Sequence, residues 1–270
     1  MRTSGDTPVR ISPPGHDLTV WAETLEAARH LLFAELVQSL QLPPDTPSTL
    51  IVVSAHPDDE TIGLGRLAYA WATTVGPVVG VLATAGEACL DGVLERPPGI
   101  GERRQAEWHD ALDQLGVGER YLVGLPDGEL AEHESTLVER LHEVAEDHDH
   151  PIVLAGTWHE DPHPDHRAVG RAVRDLGRTR DIPILEYPVW ITYWSPPASV
   201  VSAGQELLVV SHDEAAERAR GNALRAYPSQ LAPLSRGVTA VVEPAMLSHQ
   251  RHQLLLRDPG PRRAHLGGPA

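Results

Sequence analysis

The stretch Val52-Val53-Ser54-Ala55-His56-Pro57-Asp58-Asp59-Glu60-Thr61-Ile62-Gly63 (VVSAHPDDETIG) sets a histidine, a proline and three consecutive carboxylates directly behind an apolar run. The run reads as the end of a buried strand. Pro57 suits the first turn of a helix, because its ring fixes the backbone torsion and it lacks only an N–H that would be unpaired there. Asp58, Asp59 and Glu60 then fall where the helix dipole favours anions, by about 0.3–1 kcal/mol each. Capping accounts for the acids but gives no reason for His56.

Working outward, strand-like and helix-like segments alternate: strands at 50–54, 77–83, 121–123, 152–155 and 184–187, helices at 58–74, 102–115, 135–146 and 164–176. The alternation predicts an α/β fold, a mostly parallel Rossmann-like sheet with helices on both faces. An N-terminal helix is expected from Leu18, Trp21, Leu25, Ala28, Leu32, Leu36 and Leu40, spaced at three and four residues. Residues 1–16 read as a loose polar arm, so that 1–49 forms an arm and helix packed on a main domain at 50–258. Beyond Tyr187 a C-terminal extension follows, with VWITYW (189–194) and 206–210 β-like and 213–226 and 244–256 helical. Residues 259–270 read as a flexible tail.

The chain of 270 residues carries 22 basic against 38 acidic side chains, for a net charge of -16, which disfavours nucleic acid and anionic lipid as partners. Every basic residue is arginine, which removes Schiff-base and P-loop lysine chemistry. A single cysteine, Cys89, carries no Cys/His motif and allows neither an internal disulfide nor a thiolate-rich zinc site. With no signal-peptide pattern and no apolar run of about 20 residues, the expectation is a cytoplasmic protein without a membrane partner.

A second junction repeats the first. Ile152-Val153-Leu154-Ala155 runs into GTWHEDPHPDHRAVGRAV (156–173), again strand, loop, His-Pro-Asp and helix, with Pro164 opening the helix and Asp165 and His166 in its first turn. Ligands of an open parallel sheet gather beyond the carboxyl ends of its strands, so two such junctions bring histidines and carboxylates to one edge. That is the composition of a divalent-metal site.

The motifs AHPDDE (Ala55 to Glu60) and HPDH (His163 to His166) resemble the signatures of the PIG-L/LmbE family of zinc-dependent de-N-acetylases, without substitution and in the same order. The resemblance covers roughly 50–230. It implies removal of acetyl from an N-acetylglucosaminyl conjugate, a small-molecule glycoconjugate, with one Zn2+ (or another divalent ion such as Fe2+) bound by His56, Asp59 and His166. It further implies that Asp58 is the general base, that His163 stabilises the oxyanion or supplies a proton, and that Asp165 orients His163. The roughly 50 residues before the first motif, the overall length and VWITYW resemble the branch acting on glycopeptide-antibiotic pseudoaglycones; conjugates of inositol, thiol precursors or aminoglycosides are the alternatives.

Further candidates each have a plain reading beside the functional one. Arg104 and Glu107 match an arginine and glutamate that the family places near the sugar, or form a solvated helix pair. Asp127 follows a strand at the expected active edge, or belongs to an ordinary Pro-Asp-Gly turn. Trp158 stacks on a sugar ring or packs in the core. His159, His148 and His150 read as loop histidines, and the loop 86–101 as a wall or lid. Two rival functions use the same residues: a non-haem Fe(II) oxygenase, with His56, Asp58 and His166 as ligands, and a sugar-binding protein with a vestigial site. The helices after both clusters argue against the first, and retention of Asp58 and His163 against the second.

Overall fold

In the computed structural model, which describes residues 9–44, 46–148, 151–233 and 235–258, eight strands form one sheet: β1 Arg29–Leu32, β2 Thr49–Ser54, β3 Val78–Thr84, β4 Glu119–Leu125, β5 Ile152–Thr157, β6 Ile184–Tyr187, β7 Glu206–Ser211 and β8 Gln253–Arg257. Their order is β1-β7-β8-β6-β5-β2-β3-β4. All pairings are parallel except those of β8, which runs antiparallel to both β6 and β7.

The apolar runs that gave no alternation are the central strands. Every residue of β2 is buried, with Leu50 and Val52 packing into one hydrophobic layer and Ile51 and Val53 into the other, as a strand covered on both faces requires. The first layer lies under α4 (Gly65–Thr74), α5 (Ile100–Leu115) and α10 (Glu214–Leu224), which pack on one another. The second lies under α6 (Glu134–Glu146) and α7 (Pro164–Arg180). The remaining helices are α1 (Ala22–Ala27), α2 (Phe33–Ser39), α3 (Asp59–Gly63), α8 (Ile191–Trp194), α9 (Ala198–Ala203), α11 (Pro228–Leu231) and α12 (Pro244–Ser248). No helix among the described residues is long and apolar enough to cross a membrane.

Tertiary pairing overrides the sequence pattern in four places. The helix expected over 18–40 is broken into a 3-10 turn, α1, strand β1 and α2, because 29–32 pairs with β7. VWITYW turns into α8 rather than a strand. The helix expected over 244–256 stops at Ser248, and Gln253–Arg257 closes the gap between β6 and β7 as β8. Arm residues 9–16 are not loose: Val9 bridges Val238, and His16 N–H donates to the Tyr193 carbonyl at 2.7 Å. The expected tail and His150 lie outside the described residues.

One glycine sets the approach of α7 to the sheet. A Cβ on Gly170 would stand 2.5 Å from both the His159 nitrogen and the Thr157 oxygen, backbone atoms at and just past the end of β5. Only glycine admits that contact, and it holds His166, one turn earlier, against the strand ends.

Candidate metal centre and active site

From β2 the sheet extends through β3 and β4 on one side and through β5 and β6 on the other. The β2/β5 boundary is therefore a topological switch point, and both histidine junctions leave the sheet there.

After β2 the chain does not enter its helix at Pro57. Asp58 intervenes at φ 117°, ψ −25°, and α3 begins at Asp59. This is backbone that L side chains rarely adopt, at a cost of about 1–3 kcal/mol. The kink separates two neighbouring acids. Asp59 turns inward, where its Oδ2 accepts the His56 amide at 2.8 Å. Asp58 is buried, makes no side-chain hydrogen bond among the described residues, and lines the cavity. After β5, His163 caps α7 with Pro164 at its first position, as the sequence predicts.

The two imidazoles are set alike. His56 Nε2 lies 3.0 Å from Asp127 Oδ1 and 3.2 Å from Asp165 Oδ2, while its Nδ1 faces Asp59 Oδ2 at 3.3 Å. His166 Nδ1 donates to Asp161 Oδ1 at 2.9 Å, leaving Nε2 facing Asp59 Oδ1 at 3.2 Å without a hydrogen-bond partner. In each ring one N–H is committed to an outer carboxylate, so in the neutral ring the other nitrogen turns a lone pair toward the carboxylate of Asp59. Lone pairs opposed to carboxylate oxygens in a buried site demand positive charge between them. Ligand atoms on a tetrahedral ion with bonds of about 2.1 Å stand roughly 3.4 Å apart, close to the two histidine–Asp59 separations. Ligand atoms of His56, His163 and His166 lie within 4.8 Å of one another, as do those of His56, Asp127 and Asp165, so the donors gathered here suit a divalent cation, with carboxylates behind two of the histidines as metal-ligating imidazoles usually have.

Protonation follows the same logic. Burial disfavours charge on His166, yet Asp59 and Asp161 push its pKa up to about 9. Burial likewise opposes charge on His56, which Asp127, Asp165 and Asp59 raise well above the ordinary value. Asp59, against its own burial, is held well below the carboxylate range by His166 and His56. Protons on the imidazoles thus answer the demand that a metal would otherwise meet.

His163 behaves differently. Its ring sits 4.8 Å from that of His56 and 4.7 Å from that of His166, centre to centre. Burial and these two neighbours push its pKa down to about 3. Its Nδ1 accepts the Asp165 amide at 3.2 Å, so in the neutral ring Nε2 carries the proton. For Asp58, burial, opposed by Arg104 and reinforced by Asp59 and Glu60, pushes the pKa up to about 8.

A cavity of about 550 Å³ holds His56, Asp58, Asp59, Arg104, Asp127, His163 and His166 together. Buried Arg104 donates to the carbonyls of Gly86 and, at 3.1 Å, Pro57. Asp127 Oδ2 accepts the Ala88 amide at 2.7 Å, which fixes the 86–99 loop as a wall carrying Ala88 and Cys89. Asp127 stays below the carboxylate range despite its burial, chiefly through His56.

Three expectations change. Asp165 orients His163 through its backbone amide and not its carboxylate, which serves His56 and the amides of Gly128 (2.8 Å) and Leu130 (3.2 Å). Trp158 faces no substrate; it is 1% exposed and packs with Trp21, Ile191 and Leu207. Glu107 accepts from Arg103 and from Ser229, away from the cavity. His159 is held by Glu186 at 2.5 Å, a loop histidine as read. Asp161, unread in the sequence, is the one addition beside the metal centre. It is fully buried and accepts from His166, the His163 amide and the amides of Val189 and Trp190. An acid five residues before His166 was its only signal.

A mostly parallel α/β sheet carries a histidine–carboxylate cluster at its switch point. Residues 51–176 match the family described as PIG-L: GlcNAc-PI de-N-acetylase. A 1D-myo-inositol 2-acetamido-2-deoxy-alpha-D-glucopyranoside deacetylase of Kineococcus radiotolerans is 35% identical over 112 residues, covering 38% of this chain and 29% of that protein. The match thus spans less than a third of that relative's length. Among solved structures, the pseudoaglycone deacetylase Dbv21 superposes with a TM-score of 0.53 at 21% identity, covering 66% of this chain and 80% of that one. The N,N'-diacetylchitobiose deacetylase of Pyrococcus horikoshii gives 0.51 at 22% identity, covering 78% and 80%. These likenesses establish the fold.

Proposed function

We propose that the protein is a metal-dependent de-N-acetylase of an N-acetylglucosaminyl conjugate, with His56, Asp59 and His166 holding Zn2+. The observation that carries this is the Asp58 carboxylate, without a hydrogen-bond partner among the described residues, in the same cavity as two imidazoles aimed at one acid. A metal held there supplies Lewis acidity toward the amide carbonyl and acidifies water.

The chain's own groups do the rest. Asp58, whose pKa of about 8 lets it take and return a proton near neutrality, removes a proton from the attacking water. The Nε2–H of His163 donates to the oxyanion that develops on the acetamide oxygen; a ring with a pKa near 3 keeps to hydrogen bonding rather than proton delivery. Asp58 then returns its proton to the nitrogen, the C–N bond breaks, and acetate and a free amine leave. Arg104 steadies the Pro57 carbonyl beside Asp58, and Asp127 and Asp165 hold the His56 ring.

For the conjugate we favour a glycopeptide pseudoaglycone, supported by the apolar and aromatic side of the cavity, where Trp190, Trp194, Val242 and Met246 lie. The inositol conjugate is the second reading, favoured by the activity named for the Kineococcus relative. Zinc-loaded protein incubated with each, with acetate followed by mass spectrometry and Asp58→Asn as control, decides between them. Metal-dependent acetate release that the substitution abolishes is expected. Zinc binding without release from either conjugate refutes the proposal.

A further inference from the structure

The cavity has two origins. Its histidines and carboxylates come from residues 56–166, inside the span that matches the family, whereas much of its apolar lining comes from segments outside that span. One of these is the arm before β1, from which Ile11, Ser12 and Pro13 reach the cavity some 40 positions ahead of the first histidine.

The arm is tied down along its length. Val9 exchanges backbone hydrogen bonds at 2.9 Å with Gly237 and Thr239, Ser12 Oγ donates to the Val241 carbonyl at 2.6 Å, and Trp194 Nε1 donates to the Pro13 carbonyl at 3.2 Å. Arg10 pairs with Glu243 at 2.9 Å. At Gly15 the fit admits no side chain, since a Cβ would stand 2.4 Å from the Tyr193 carbonyl oxygen and 2.6 Å from its ring. These contacts hold Ile11 and Pro13 in the same cavity as Trp194, Val241 and Met246.

We propose that residues 11–13 form a strap that selects the part of the substrate beyond the reacting sugar, favouring an apolar or aromatic aglycone over a small polar one. The assignment rests on the deacetylase reading for its kinetics. The strap contributes no group to bond cleavage: with Trp194 it offers a surface on which an aromatic ring leaves water, while the N-acetyl group lies at the metal centre. Discrimination of about tenfold or more is what one such apolar contact supplies.

The test compares phenyl and methyl N-acetyl-β-glucosaminides in the zinc-loaded full chain, reading the ratio of their kcat/KM values. Wild type is expected to prefer the phenyl glycoside about tenfold or more. Gly15→Ala, which displaces the strap, and Ile11→Ser, which removes its apolar contact, are expected to bring the ratio to within about threefold of unity, and Ile11→Val to retain it. A ratio unchanged in both variants, with both substrates slowed alike, overturns the proposal. If wild type cleaves neither glycoside, the deacetylase reading fails separately, and titration of tryptophan fluorescence with the phenyl glycoside judges the strap. Weaker binding in Gly15→Ala and Ile11→Ser then supports it; equal binding, or none in wild type, overturns it.

Discussion

Asp58→Gly should make the metal-free protein more stable while removing its catalysis. Three contributions set the size. Relief of the backbone at φ 117° returns about 1–3 kcal/mol. The greater freedom of glycine in the unfolded chain costs about 0.5–1 kcal/mol. The lost carboxylate has no hydrogen-bond partner among the described residues, so its deletion frees none. The net is a gain of about 0–2.5 kcal/mol before any charge effect, each kcal/mol being about 2 °C in Tm for a chain of this size. The gain should grow with pH. Folding raises the Asp58 pKa from its ordinary 3.8 to about 8, so the folded state favours the protonated acid. That advantage is complete below pH 3.8 and is lost as pH rises through 8, where the wild type holds a buried charge that the variant does not. Asp58→Asn removes the charge but keeps a side chain on the strained backbone, and should gain less. Thermal melts of chelator-treated wild type and both variants at pH 5 and pH 8 provide the readout. An Asp58→Gly protein that melts below wild type, or whose advantage shrinks between pH 5 and 8, refutes the reasoning. Acetate release should fall about 10²–10⁴-fold in both variants, the contribution of a general base.

Zinc affinity should rise with pH at least tenfold per unit up to about pH 9, because binding must displace the proton that Asp59 and Asp161 hold on His166; competition with a chromophoric chelator measures it, and a flat profile would show that the imidazoles are already neutral. Asp161→Asn should weaken zinc binding about 10–100-fold while leaving the fold intact by circular dichroism, as loss of a carboxylate behind a ligand histidine does; unchanged affinity would reduce Asp161 to a loop anchor. Gly170→Ala should destabilise by about 1–3 kcal/mol, because the atoms its Cβ meets are backbone and cannot rotate aside; denaturant unfolding reads this, and a loss under 0.5 kcal/mol would show that α7 can shift freely.

The candidate metal centre was legible because it is written locally. At each junction an apolar run, a proline and an acid–histidine cluster follow within a dozen residues, and the sheet brings the two together by a general rule of parallel topology. What stayed hidden depends on contacts remote in sequence. Asp165 lies beside His163 in the chain, yet the Gly128 and Leu130 amides take its carboxylate, and nothing near 165 announces a loop from 128–130. Trp158 follows a strand end as a sugar-stacking residue would, and only the packing of Trp21 and Leu207 shows it to be core. At 253–257 the run QLLLR suits a helix or a strand equally; the gap between β6 and β7 decides. The Asp58 kink escaped for another reason: Pro-Asp-Asp is an ordinary helix start, and the left-handed turn appears only in the backbone.

The antiparallel β8 also dictates an order of events during synthesis. The sheet from β4 to β6 can assemble once Tyr187 has emerged, because its pairings are already present. The other edge cannot. β1, made first, has only β7 as a partner, and β7 reaches the rest of the sheet only through Gln253–Arg257. Arg257 follows Tyr187 by 70 residues, roughly 4–14 s of translation. For that interval the nascent chain carries an orphaned amino-terminal strand and an open edge on β6, and a ribosome stalled before codon 253 would leave both exposed to pairing with a neighbouring chain.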